Sequence, residues 1–161
     1  ILHAAASQGR SQTVKVLLEH GAELDARNNN NDTPFLLACL NGHMKTAQLL
    51  EQKGADVTAV GQHGWSALQH AAYGGHTELV SYLIERGLDI NRQDKSRSTA
   101  LYLACDQGKV DTVKLLIEKD ADVNIAKEDG WTPLHTACYG GYTDIAELLI
   151  ERGADINRQD K

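Results

Sequence analysis

At 161 residues the chain has the length of one domain, and 42% hydrophobic with 24% charged residues places it among folded, soluble proteins and outside the disordered class. Its net charge of −6 argues against a surface built for nucleic acid or an anionic membrane. No apolar run approaches the roughly 18 residues of a membrane span, and the opening Ile1-Leu2-His3-Ala4-Ala5-Ala6 lacks the basic and long apolar stretches of a secretion signal.

Gly9, Gly42, Gly75, Gly108 and Gly141 fall 33 residues apart, and Gly21, Gly54 and Gly87 keep the same step, continued by Asp120 and Gly153. A fixed period of this length predicts a stack of small units whose core is a row of interfaces. We read one domain over 1–161 in five copies, a partial one at 1–27 and then 28–60, 61–93, 94–126 and 127–159. The first copy opens inside a helix at Ile1, and Thr13-Val14-Lys15-Val16-Leu17-Leu18 supplies the apolar pattern of its second helix. The second copy has Asn31 in place of a tip glycine, and Thr33-Pro34 opens its first helix. The third copy carries Trp65. The fourth has Arg97 at the tip, and because Arg tolerates left-handed geometry less well than Asn or Asp, this tip is predicted to be the irregular one.

The fifth copy shows the whole unit. Asp129-Gly130 makes a turn, Thr132 caps and Pro133 starts a helix from Leu134 to about Tyr139, and Gly140-Gly141 stops it. A second helix from about Asp144 to Arg152 ends at Gly153, and Ala154-Asp155-Ile156-Asn157 leads onward. Its apolar pattern Ile145-Ala146-Glu147-Leu148-Leu149-Ile150 repeats that of Thr112 to Ile117. A longer period overlies the first: Trp65 to Lys95 and Trp131 to Lys161 are near-copies 66 residues apart, as duplication of a two-copy unit would leave.

Cys39, Cys105 and Cys138 share one position of the copy, filled by Ala6 and Ala72 elsewhere, so all three are predicted to be buried structural thiols. Neighbouring helices stack about 10 Å apart, whereas a disulfide needs Cα atoms within about 7 Å. Free thiols point to a reducing, intracellular setting, for which the cytoplasm is the expected compartment.

Thr132-Pro133-Leu134-His135-Thr136-Ala137, Thr33-Pro34-Phe35, Asn41-Gly42-His43, Gly75-His76 and Gly153-Ala154-Asp155-Ile156-Asn157 resemble the ankyrin repeat, in signature and in period. The resemblance covers essentially the whole chain. It implies an all-α solenoid of stacked helix-turn-helix units, with short β-hairpin or turn tips projecting along one edge. Both ends carry internal-type copies and neither looks like a polar cap, so a piece of a longer array is expected, with end-to-end self-association of the isolated piece.

The seven histidines raise the question of a metal. His3 and His135 fill the last place of the Thr-Pro-Leu-His box, and His43 and His76 follow the mid-copy glycine, where the family uses histidine for local hydrogen bonds. His20, His63 and His70 remain; they lack ligand spacing, and only His63 and His70 could approach one another near a tip. No nucleophile elbow, phosphate loop or dinucleotide fingerprint occurs. Glu23, Asp56, Asp89, Asp122 and Asp155 form a ladder, not an unusual pair. We therefore expect no enzyme activity, no metal and no cofactor.

The positions that vary between copies are more informative. The family places the residue before Thr-Pro and one near the end of the first helix on a concave groove. The former are Asp32, Trp65, Ser98 and Trp131; the latter include Leu40, Tyr73, Asp106 and Tyr139. Trp and Tyr are the types most enriched at binding hot spots, so Trp65, Tyr73, Trp131 and Tyr139 are the predicted anchors. Each Trp could equally lie over its own tip and seal the next copy. Asp32, Asp106, Glu128 and Asp129, with His63, Leu40 and Ser98 beside them, would suit a protein partner carrying basic residues between apolar anchors. The resemblance also places Asn91, Asn124 and Asn157 at the arm position that asparaginyl hydroxylases modify in some ankyrin repeats. The expected function is protein recognition without nucleic acid or membrane insertion; the alternative is a structural spacer or spring segment of a larger channel or cytoskeletal adaptor.

Overall fold

The computed structural model describes residues 1–160 and contains ten α-helices in five successive pairs among them. The pairs are α1 (Leu2–Ser7) with α2 (Ser11–Glu19), α3 (Pro34–Leu40) with α4 (Met44–Gln52), and α5 (Ala67–Gly74) with α6 (Thr77–Glu85). They continue as α7 (Ala100–Asp106) with α8 (Val110–Glu118) and α9 (Pro133–Tyr139) with α10 (Thr143–Glu151). First helices pack on first helices and second on second, which makes a two-layered all-α solenoid.

Helices of 6 to 9 residues are too short to stand alone in water, so local caps and neighbours must hold them. Thr33, Ser66, Thr99 and Thr132 each accept a hydrogen bond from the backbone N–H three residues on, a cap worth about 1 kcal/mol. Ala6, Cys39, Ala72 and Cys105 are fully buried and small, and they let the first helices approach closely. Leu50, Leu83, Leu116 and Leu149 fill the same place in the second layer.

Polar groups stitch the layers. The His43 ring donates to the Ser7 carbonyl at 2.9 Å and the His76 ring to the Leu40 carbonyl at 2.9 Å. His3 Nε2 lies 2.9 Å from the Ala26 carbonyl. These histidines therefore bridge pairs; the expected local bond is made only by His135, which closes a capping box with Thr132. Ser11 meets Thr46 at 2.8 Å and Thr77 meets Thr112 at 2.9 Å across the second layer.

No β-strand forms at the tips among the described residues. Each tip closes through a backbone bond across its base, as from Asn28 N to Asp32 O (3.1 Å) and from Asp94 N to Ser98 O (3.0 Å), with a second bond inside the turn, as from Asn31 N to Asn28 O (2.9 Å) and from Arg97 N to Asp94 O (3.0 Å). Arg97 takes φ 63° in the same turn that Asn31 makes at φ 61°, its carbonyl held by Gln93, so the predicted irregularity is not at Arg97. It lies at residues 62–64. There His63 is left-handed in addition to Gly64, whose place is left-handed in every tip, and the neighbouring Gln62 amide donates to the Asp32 carboxylate of the preceding tip at 3.4 Å.

The expectation of three buried thiols also needs correction. Cys39 and Cys105 are buried, which pushes both thiols up, but Cys138 is exposed. The face of α9 that carries Cys138 matches the face of α7 that α9 itself covers, and among the described residues no helix stacks upon it. Iodoacetamide on the native chain is expected to label Cys138 within minutes and to spare Cys39 and Cys105 until unfolding. Mass spectrometry showing equal labelling of all three would contradict this packing.

Candidate functional site

Three successive tips and the first helices beneath them enclose a groove of about 410 Å3. Its lining brings together His63, Trp65, Tyr73, Ser98 and Asp106, all singled out in the sequence, with Asp94, Ser96, Tyr102, Leu103 and Lys127. Trp65 and Tyr73 stand with ring centroids 5.1 Å apart and planes tilted by 52°. Trp131 and Tyr139 repeat the arrangement at 5.5 Å and 63°. The eight-residue separation puts each Tyr two helical turns beyond the start of a helix whose N-terminal approach carries the Trp.

Both tryptophans take a packing role. The Trp65 indole N–H donates to Asp94 at 2.8 Å, and that of Trp131 donates to Asp160 at 3.2 Å. Each indole thus ties its tip to the following one, yet each ring stays partly exposed, that of Trp65 on the groove. Asp94 also accepts from the Ser96 and Ser98 amides, both at 2.8 Å, so this carboxylate is committed to the tip. Tyr139 is 84% exposed, whereas Tyr73 is partly covered by the next helix pair.

Two expected groove residues are largely buried. Asp32 is 5% exposed and Ser98 4% exposed. A short side chain before Thr-Pro folds under the neighbouring tip, and only tryptophan at that position reaches out. Asp32 lies 3.4 Å from His70 Nε2, while His70 Nδ1 donates to the Ser66 carbonyl at 2.9 Å. Both nitrogens of His70 are engaged, so it does not pair with His63, which is exposed on the tip. Ser98 gives its carbonyl to Gln69 at 2.8 Å.

Asp106 is exposed and accepts from the Thr136 hydroxyl at 3.0 Å and the Gln107 amide at 2.8 Å, both neutral donors. Leu40 is partly exposed on the equivalent face of α3. Glu128 and Asp129 are exposed on the fifth tip, where Asp129 stands 3.4 Å from Lys127. The Trp131 amide, which donates to Asp129, together with the Lys127 ammonium holds the Asp129 carboxyl below its ordinary range.

Asn91 and Asn124 serve as clamps: their side-chain oxygens accept from the Asp122 amide at 2.9 Å and the Asp155 amide at 3.0 Å. Asn157 occupies the same arm position and is exposed.

Tyr102 and Lys127 were not anticipated from the sequence. Tyr102 takes the last place of the box, where His135 sits in the fifth copy, and Lys127 stands where other tips have Asn28 or Asp94. The Lys127 ammonium lies 5.3 Å from the centre of the Tyr102 ring, a cation–π contact that closes the groove floor. Two exceptions to the repeat in adjacent copies were the available clue. Among the described residues no group of three His, Cys, Asp or Glu side chains could hold a metal ion, and no helix is long and apolar enough to cross a membrane.

The sequence model of the family described as ankyrin repeats (3 copies) matches residues 2–94 and 87–160. No curated protein matches the chain.

Proposed function

This chain belongs to the ankyrin-repeat family, and we propose that it is a protein-recognition module whose groove between Trp65, Tyr73 and Asp106 grips a protein partner. Ankyrin repeats are in general protein–protein interaction modules. The observation that carries the finer reading is the convergence of half-open aromatic rings and an exposed carboxylate on one 410 Å3 groove. Tyr and Trp are the side chains that most often dominate binding energy, and a preformed solenoid spends little ordering entropy on binding. Trp131 and Tyr139 extend the surface, with Glu128 and Asp129 at its rim.

A second reading, a structural spacer in a longer array, is favoured by the indole bonds to Asp94 and Asp160, which give both tryptophans a packing role. The clean test therefore leaves the tryptophans alone. Tyr73→Ala and Asp106→Asn, each verified as folded by circular dichroism, are compared with the unaltered chain in affinity capture from a native lysate. A recognition module loses specific partners in both variants, by at least about tenfold in recovered amount for the aromatic truncation. A spacer returns identical partners from all three.

The arm asparagines belong to the same proposal as sites of hydroxylation. Intact mass of the native protein is expected to show additions of one oxygen at Asn91, Asn124 or Asn157; an unmodified mass in every preparation removes this part.

A further inference from the structure

Resting on the groove as the recognition surface, we propose that its occupant is a protein segment in the extended, left-handed threefold conformation, with apolar side chains at positions i and i+6 and an arginine or lysine at i+3. The two aromatic pairs set the outer anchors. They lie two stacking steps apart, roughly 20 Å at the usual helix spacing. In each pair the two rings pack directly against one another and present a joint aromatic surface. The indole N–H groups are already used by Asp94 and Asp160, so each pair offers a ligand apolar surface and no donor from the indole.

Asp106 sets the middle position. It is exposed, its oxygens accept only from neutral donors, and it forms no ion pair among the described residues. The groove's own ammonium, Lys127, is paired with Asp129 at 3.4 Å and laid over Tyr102, so it does not neutralise Asp106. A partner's cation between two apolar anchors completes the charge pattern.

Spacing decides the conformation. The threefold extended helix returns to the same side every three residues and advances about 9.3 Å per turn, close to the stacking step of about 10 Å. A flat β-strand would send position i+3 to the opposite side. An α-helix could present i, i+7 and i+14, but it is about 10–12 Å wide with its side chains.

The probe is a set of capped synthetic peptides read by intrinsic fluorescence, since the only two tryptophans of the chain, Trp65 and Trp131, belong to the two proposed anchors. One peptide carries leucine at i and i+6, arginine at i+3, and proline or serine between. The others replace arginine by glutamate, shorten the leucine spacing to four, or place the three anchors at i, i+7 and i+14 of a helix-forming sequence. The first is expected to bind at least about tenfold more tightly than the glutamate peptide, and Asp106→Asn should abolish that ratio. Equal binding, a ratio that survives Asp106→Asn, or preference for the shorter or helical peptide overturns the register. Absence of binding by every peptide also overturns it; if Tyr73→Ala still strips a cellular partner, the groove itself stands, and if no partner is lost either, both fail.

Discussion

Asp32→Ala is expected to destabilise the chain by about 3 kcal/mol in urea unfolding, the largest effect of any single polar substitution in the solenoid. The carboxylate is 5% exposed and meets both His70 Nε2 and the Gln62 amide at 3.4 Å. Since His70 Nδ1 is committed to the Ser66 carbonyl, removing Asp32 strands a buried ring nitrogen together with the amide that shapes the 62–64 tip. Each buried polar group left without a partner costs about 1–3 kcal/mol. Replacing both members should be far milder. Leu37 and Leu103 occupy the His70 position in the flanking pairs, so Asp32→Ala with His70→Leu is expected to recover at least about half the loss. A single-variant cost below about 0.5 kcal/mol, the range of ordinary surface changes, would mean that the pair is effectively solvated.

Gly42→Ala is expected to cost about 2–3 kcal/mol. Gly42 has φ +72°, and a β-carbon there would run into the His76 imidazole, which donates to the Leu40 carbonyl. The substitution thus combines left-handed strain, about 1–2 kcal/mol for a residue with a β-carbon, with loss of a bond between helix pairs. Gly54→Ala is the control. Its φ is +93°, yet nothing lies within 4 Å of the added carbon, so it carries the strain alone. The difference between the two variants, at least about 1 kcal/mol, isolates the crowding against His76. Equal losses by thermal or urea unfolding would show that the ring moves aside freely.

The helices and their order were legible because they depend on local chemistry that recurs: a hydroxyl cap, an apolar stripe and a left-handed stop, each at a 33-residue step. The aromatic pairs were legible for the same reason. What stayed hidden depends on residues that break the repeat in two neighbouring copies at once. Asp32 reads as a surface acid until His70 is placed beside it, 38 residues later, and neither has a counterpart in the other copies. Tyr102 and Lys127 behave alike: each is an exception at its position, and stacking brings the two exceptions together. The tip at Arg97 illustrates the opposite error. Intrinsic left-handed cost predicted distortion there, but Gln93 and the tip bond hold the turn, and the distortion arose instead where Asp32 captures an amide.

The measurement that tests the recognition groove most directly is a hydrogen-exchange footprint of the chain bound to a partner captured from its native source, compared with the free chain. The groove reading predicts new protection concentrated at residues 62–73 and 95–106, with the outward faces of α6 and α8 unchanged. Protection confined to those second helices, or absent from the tips, would place the partner elsewhere and contradict the account.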